Sequence, residues 1–262
     1  MEYIVVSVSA LFVSAIALYS GFGLGTLLMP VFALFFPLPI AVASTAIVHM
    51  ANNIFRVAFV GRSADWGIVL SFGLPAVLLA FPGAFLLVRM AEVDSLATYT
   101  LANREFSITA IKLIIAILIL GFALFELVPA FQRVEVPRKF IPLGGALSGF
   151  FGGLSGHQGA LRSAVPAKAG LEPGPFVGTV SVAAFMVDIS RLSVYGATFF
   201  IKDFHQVAEG QALSLIITAI LAALVGTYSS SKLLKQVTMD KIRLLVGVML
   251  MVVGLALAIG LV

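Results

Sequence analysis

Residues 149–159 read GFFGGLSGHQG and interrupt an apolar segment that extends over about residues 140–166. A second interruption, SGFGLG at residues 20–25, lies within an apolar segment over about residues 3–36. Glycine clusters of this density stop an α-helix, because each glycine costs backbone entropy and leaves backbone polar groups exposed. The sequence therefore predicts two broken helices, one in each half of the chain.

The chain as a whole is apolar enough for the bilayer to be its main solvent. Of its 262 residues, 61% are hydrophobic and 11% are charged, whereas a soluble domain has roughly 25% charged residues. A membrane-spanning helix needs about 17–25 apolar residues. Uninterrupted stretches of this length lie at residues 39–60, 67–89, 108–128, 175–200, 210–231 and 243–262. We predict an all-α integral membrane protein.

Both halves have the same order of elements, a broken segment followed by three spans. A shift of 135 residues, from Asn53 to Asp188, aligns four pairs of positions in the second element of each half: Ser44 with Thr179, Asn53 with Asp188, Arg56 with Arg191 and Gly61 with Gly196. Arginine within a span is rare and costly, so the repeated arginine is more informative than shared leucines. The sequence predicts transmembrane repeats at residues 1–128 and 140–262, joined by a cytoplasmic linker at 129–139.

The distribution of lysine and arginine favours broken segments that enter and leave on the same side. With this re-entrant arrangement one face has nine loop lysines and arginines and the other has three, whereas full crossing would divide them five against seven. An excess of positive charge is expected on the cytoplasmic face. The two halves then face opposite ways, as inverted repeats do in many secondary transporters. We predict a multi-pass protein of the bacterial inner membrane with both termini outside the cytoplasm.

The broken segments predict a binding site for an anion near the middle of the membrane. Irregular backbone at this depth is tolerated only where protein covers it or water lines it. The first amides of a half-helix attract negative charge there, although glycine breaks can also serve only close helix packing. The predicted substrate-binding residues are Ser20, Gly23, Gly25 and Thr26 in the first break, Ser155, Gly156, His157 and Gln158 in the second, and Asn52 and Asn53 beside them.

Further polar residues within the spans are candidates for gating or charge pairing, namely His49, Arg56, Arg162, Asp188 and Arg191. Spacings of three and four place His49, either Asn52 or Asn53, and Arg56 on one helical face. The arginines could bind an oxyanion with their planar guanidinium groups, act as gates, or join helices, as Arg191 would by pairing with Asp188. These interpretations stay open, as does proton transfer by His49 or His157, since histidine titrates near neutral pH.

Several classes of function are excluded or disfavoured by the composition. The chain has no cysteine, which excludes disulfides, thiolate metal sites and thiol redox relays. No catalytic or metal-binding motif is present, so we expect neither an enzyme nor a cofactor or metal. The net charge of +4 indicates cytoplasmic loops rather than nucleic-acid binding. The expected partners are a small anion and membrane lipid, and the small protomer favours a homodimer.

Short motifs in both halves resemble those of the TauE/SafE sulfite exporter family. They are GFGLGTLLMP at 21–30, AST at 43–45 and NN at 52–53 in the first half, and residues 149–159 followed by Gly178 and Thr179 in the second. The resemblance covers nearly the whole chain. It implies export of sulfite or an organosulfonate such as sulfoacetate, with a cavity lined by residues 20–26 and 155–158. Alternating access is the expected mechanism; the alternatives are a passive anion channel and a membrane-embedded enzyme or assembly factor.

Overall fold

The structure, a computed structural model, describes residues 1–20, 24–102, 104–128, 137–159, 161–163, 170–200, 212–233 and 239–261. Within these ranges the chain is almost entirely helical. The helices are α1 (Glu2–Ser20), α2 (Leu24–Ala33), α3 (Leu38–Val60), α4 (Trp66–Ala91), α5 (Ala110–Leu127), α6 (Ile141–Ser155), α7 (Pro173–Tyr195), α8 (Ala212–Leu233) and α9 (Met239–Ala258). A π-helical turn at Val69–Gly73 lies inside α4, and another at Gly196–Phe200 extends α7.

Five helices in the described part of the chain are long and apolar enough to cross a membrane. They are α3, α4, α5, α7 and α8, which match five of the six uninterrupted spans predicted from the sequence to within a few residues. The sixth prediction, at 243–262, falls on α9, a helix of 20 residues. Large apolar side chains such as Leu78, Ile117 and Leu221 are exposed on the outer faces of these helices. The protein is therefore an all-α, multi-pass integral membrane protein.

The helices that precede the two predicted breaks, α1 and α6, differ in length. Helix α1 has 19 residues, about 28 Å at ~1.5 Å per residue, which is close to the ~30 Å thickness of the hydrocarbon core. Helix α6 has 15 residues, about 22 Å, and cannot span this thickness alone. Helix α2 follows the first break, whereas after the second break the described helical residues are 159 and 161–163. The re-entrant arrangement stays a prediction.

The two halves pack against each other in a reciprocal pattern. Helix α1 packs on α8 and α6 packs on α4, while α3 contacts α7 and α5 contacts α9. Exchanging the halves, so that α1 becomes α6, α3 becomes α7, α4 becomes α8 and α5 becomes α9, reproduces the same set of pairs. Two repeats related by a twofold axis produce this pattern. It agrees with the internal repeat, whereas the opposite orientation of the halves stays a prediction.

Helix α6 lies unusually close to α4. A Cβ atom added at Gly145, Gly149 or Gly153 would overlap the backbone carbonyl groups of α4. These glycines are four residues apart and form one face of α6. Small residues allow membrane helices to approach until their backbones touch, so glycine is needed at these positions for packing. The second break is thereby fixed against the first half of the protein.

One element departs from the all-α expectation. Strands β1 (Ala97–Leu101) and β2 (Arg104–Ile108) form an antiparallel hairpin between α4 and α5, with Leu101 opposite Arg104. From the sequence, this region was expected to be a loop. The Tyr99 hydroxyl donates a hydrogen bond to the Ile259 carbonyl, so the hairpin contacts the chain just after α9. It lies outside the spans and leaves the membrane architecture unchanged.

Candidate functional site

The two glycine breaks meet inside the protein. A Cβ atom on Gly25, at the start of α2, would lie 3.1 Å from the Gly156 carbonyl oxygen and 3.7 Å from Thr45 Cγ2. Gly156 ends α6 in the left-handed conformation with φ of 77°, which is favourable for glycine and costly for other residues. Its amide donates a 3.0 Å hydrogen bond to the Gly152 carbonyl. Two residues predicted separately from the two halves therefore contact each other.

The residues after Gly156 turn back toward the start of α2. The His157 Nδ1 atom lies 2.9 Å from the Ser155 carbonyl oxygen, and its buried Nε2 atom finds no hydrogen-bond partner among the described residues. The Ser155 hydroxyl donates to the Phe151 carbonyl at 3.0 Å. Ser155 and His157 thus stabilise the turn locally, while Gly156 contacts the first break.

Asp188 is the centre of a buried polar cluster between α3 and α7, called here the carboxylate cluster: His49, Asn53, Asp188 and Arg191. The Asp188 Oδ2 atom is 2.7 Å from His49 Nδ1 and accepts a hydrogen bond of 2.8 Å from Asn53 Nδ2. The Oδ1 atom accepts hydrogen bonds of 3.0 Å from Arg191 Nε and 2.6 Å from Nη2. One carboxylate thus compensates the buried Arg191 charge and joins the two halves.

Arg191 also holds the end of α6. Its Nη1 atom donates to the Gly152 carbonyl at 3.3 Å, and the Tyr195 hydroxyl donates to the Gly153 carbonyl. The last carbonyl groups of a helix lack partners within the helix and interact favourably with positive charge. Helix α7 therefore positions the second break through two side chains one turn apart. Tyr195 was not among the predicted residues, because its role depends on a contact with a different helix.

Asn52 and Asn53 point to different neighbours although they are adjacent. Asn53 faces Asp188 on α7, whereas Asn52 Oδ1 accepts a 2.7 Å hydrogen bond from the Thr227 hydroxyl on α8. Thr227 was not predicted from the sequence. The sequence feature that could have identified Thr227 is the polar run TYSSS at 227–231 within an apolar helix, since polar residues in a span usually face the protein interior.

Polar side-chain atoms that find no hydrogen-bond partner among the described residues lie on both breaks, just after the second break and near the end of α3. They include all three guanidinium nitrogens of Arg162, both amide atoms of Gln158, the Thr26 hydroxyl and Nε of Arg56. Arg162 is 1% exposed, and Gln158 is equally buried. Because more than nine in ten buried polar groups in proteins are hydrogen-bonded, this group can offer its donors to a ligand. Arg56 is 4% exposed, so its side chain is covered by protein.

Among the predicted residues, the structure places Gly25 against Gly156 and joins His49, Asn53, Asp188 and Arg191, whereas Asn52 faces Thr227 on α8. The Ser20 side chain and Gly23 lie outside the described residues. Across the described ranges, no group of three histidine, aspartate or glutamate residues could hold a metal ion. The arrangement can hold an anion by guanidinium and amide donors at the meeting point of the two breaks.

Comparison with known families gives a match over nearly the whole chain. The family model described as Sulfite exporter TauE/SafE matches residues 6–257. No curated protein and no solved structure gives a match. The matched range contains both breaks and the carboxylate cluster.

Proposed function

The chain belongs to the sulfite exporter TauE/SafE family, and on that premise we propose that it exports sulfite or an organosulfonate such as sulfoacetate. The anion binds near the middle of the membrane, where the two breaks meet, and crosses by alternating access. The protein acts as a transporter, not as an enzyme. Its location is the bacterial inner membrane.

The buried guanidinium group of Arg162 is the observation that carries this proposal. None of its three nitrogens has a hydrogen-bond partner in the described part of the chain. It lies one helical turn after Gln158, to whose carbonyl its amide donates at 2.9 Å. An ionised side chain within a membrane protein is costly and commonly marks a substrate pathway. A guanidinium group offers paired donors that fit sulfonate or carboxylate oxygens.

The start of α2 supports the same location from the other half. The Thr26 hydroxyl is buried and has no partner within the described ranges, and it lies in the first turn of a 10-residue helix. Helix N-termini attract anions through their free amides and their dipole. Gly25, the residue before Thr26, lies against the Gly156 carbonyl oxygen of the second break, which supports one site between the two halves.

The packing between the halves supports alternating access. The exchange-symmetric pattern of helix contacts agrees with two repeats, and transporters built from inverted repeats rock one unit against another around a site at their interface. The carboxylate cluster lies at that interface, between α3 and α7. It joins the halves through polar contacts that can exchange partners.

Counterflow in proteoliposomes tests the proposed function. We expect labelled sulfite or sulfoacetate to enter vesicles preloaded with the same unlabelled anion, with a rate that saturates. Arg162→Ala should abolish this exchange, whereas Arg62→Ala, at an exposed arginine after α3, should not. Flux without saturation or counterflow would indicate a passive channel, and absence of flux for every sulfur anion would contradict the proposal.

A further inference from the structure

The buried arginines outnumber the carboxylates near them. Arg56, Arg162 and Arg191 are 4%, 1% and 0% exposed, and Asp188 is 0% exposed. The other buried carboxylate in the described residues, Glu126, lies on α5, where its Cβ faces Gly247 of α9. Asp188 already binds Arg191 through two hydrogen bonds. Two guanidinium charges, those of Arg56 and Arg162, therefore remain without a described counter-ion.

These two charges act on each other. Arg56 and Arg191 are neighbouring positive charges of Arg162, and Asp188 is a neighbouring negative one. Nε of Arg56 and all three guanidinium nitrogens of Arg162 are buried and find no hydrogen-bond partner in the described part of the chain. Like charges in a buried site destabilise each other more strongly than in water, because the low dielectric screens them poorly. A ligand that supplies two negative charges would neutralise both guanidinium groups, whereas a singly charged ligand would leave one of them uncompensated.

We propose that the transported anion binds as a dianion, with its two charges balanced by Arg162 and Arg56. Gln158 and Thr26 supply neutral donors to the same ligand. This inference rests on the proposed function and narrows its substrate class. A zwitterionic sulfonate fits poorly, because its ammonium group would lie among guanidinium groups and Asp188 is already shared by His49, Asn53 and Arg191.

Three sulfonates with two carbon atoms each provide a series in which charge changes and size changes little. Sulfoacetate is doubly charged, isethionate is singly charged and taurine is a zwitterion. Affinity is measured on the purified full chain in detergent from ligand-induced thermal stabilisation. Removing one partner from a buried charge pair costs at least ~2 kcal/mol, so we expect sulfoacetate to bind at least about 30-fold more tightly than isethionate. Taurine should bind most weakly.

Two variants of Arg162 separate charge from geometry. Arg162→Gln removes one of the two uncompensated charges, so the preference for sulfoacetate over isethionate should fall at least about tenfold. Arg162→Lys keeps the charge and loses the planar fork, so affinity should fall for both ligands while the preference remains. Arg62→Gln, at an exposed arginine away from the site, should leave both affinities unchanged.

The possible results separate this inference from the proposed function. Equal binding of sulfoacetate and isethionate by the natural protein would overturn the dianion while leaving an anion exporter. An unchanged preference in folded Arg162→Gln would overturn the assignment to Arg162. If Arg162→Gln does not fold, the ligand series still tests the dianion, and the retained preference in Arg162→Lys still tests the assignment to Arg162. If neither sulfite nor any sulfonate binds, the proposed function fails and this inference fails with it.

Discussion

Asn53 and Asp188, which occupy equivalent positions in the two halves, are hydrogen-bonded to each other at 2.8 Å. Residues related by a twofold axis can touch only where they lie close to that axis. The contact therefore agrees with the predicted repeat, in which the carboxylate cluster would lie on the axis between the two halves. It also shows where the halves differ, because the second half has a carboxylate beside Arg191 and the first has a neutral amide near Arg56.

Removal of the shared carboxylate should destabilise the protein. Asp188→Asn leaves Arg191 buried without its charged partner, which typically costs about 3–5 kcal/mol. The measurement is the free energy of unfolding in detergent, from chemical denaturation. A loss below about 1 kcal/mol, comparable to that of an exposed ion pair, would contradict the role given to Asp188.

Transfer of the carboxylate to the other half should restore part of that stability. The double variant Asn53→Asp with Asp188→Asn keeps one carboxylate at the axis and within the same hydrogen-bonded pair. We expect it to be more stable than Asp188→Asn alone by about 1 kcal/mol or more, the scale of coupling between contacting residues. Asn53→Asp alone serves as the matched control. Lower stability of the double variant than of Asp188→Asn would show that the two positions are not interchangeable.

Gly156 should not tolerate a side chain. Gly156→Ala places a Cβ in the left-handed region, at about 1–2 kcal/mol, and 3.3 Å from Arg191 Nη1. The melting temperature should fall. Gly121→Ala is the control, because a Cβ there meets none of the described atoms within 4 Å and alanine is the better helix former. Equal melting temperatures for the two variants would contradict the left-handed turn at the end of α6.

The contact between the breaks should matter for anion binding more than for folding. In Gly25→Val the new Cβ lies 3.1 Å from the Gly156 carbonyl oxygen, so the breaks must separate by a few tenths of an ångström. We expect sulfoacetate affinity to fall about tenfold or more, ~1.4 kcal/mol, with a folded protein by size-exclusion chromatography. Gly174→Val, where a Cβ has no described neighbour within 4 Å, should bind normally. Unchanged affinity in Gly25→Val would place the site elsewhere.

Sulfite and sulfoacetate should differ in their dependence on pH. Sulfite gains a proton near neutral pH and sulfoacetate does not, so raising the pH increases only the dianionic fraction of sulfite. Apparent sulfite affinity should therefore rise from mildly acidic to mildly alkaline pH, while sulfoacetate affinity stays constant. Among the described residues, the charged or titratable groups around the site are His49, His157, Asp188, Tyr195 and the three arginines. Titration of any of these groups would change the apparent affinities for sulfite and sulfoacetate together, and that result would contradict an effect of the ligand's own protonation.

The spans and breaks were predictable from the sequence because both follow from local properties. Apolar runs of spanning length and dense glycines act within one segment, and the pairing of Asp188 with Arg191 follows from their spacing on one helix. The equivalence of Asn53 and Asp188 was visible in the 135-residue shift, but their direct contact was not. That contact depends on how α3 and α7 pack.

The features that were not predicted depend on contacts between distant segments. Tyr195 and Thr227 are ordinary residues in the sequence, and their partners lie 42 and 175 residues away. Strand β1, with the sequence ATYTL, is too short and too polar to be distinguished from a loop. The lack of described partners around Arg162 is a property of the folded protein, so the sequence left its role open among several.

The glycine face of α6 limits how the protein can move. A helix whose backbone touches the carbonyl groups of its neighbour at Gly145, Gly149 and Gly153 cannot slide or rotate past it without separating along its whole length. Helices α4 and α6 therefore move as one rigid unit, and the second break moves with them. In the alternating-access mechanism proposed above, motion between inward-facing and outward-facing states would then occur across the polar surface between α3 and α7, where hydrogen bonds can be exchanged one at a time.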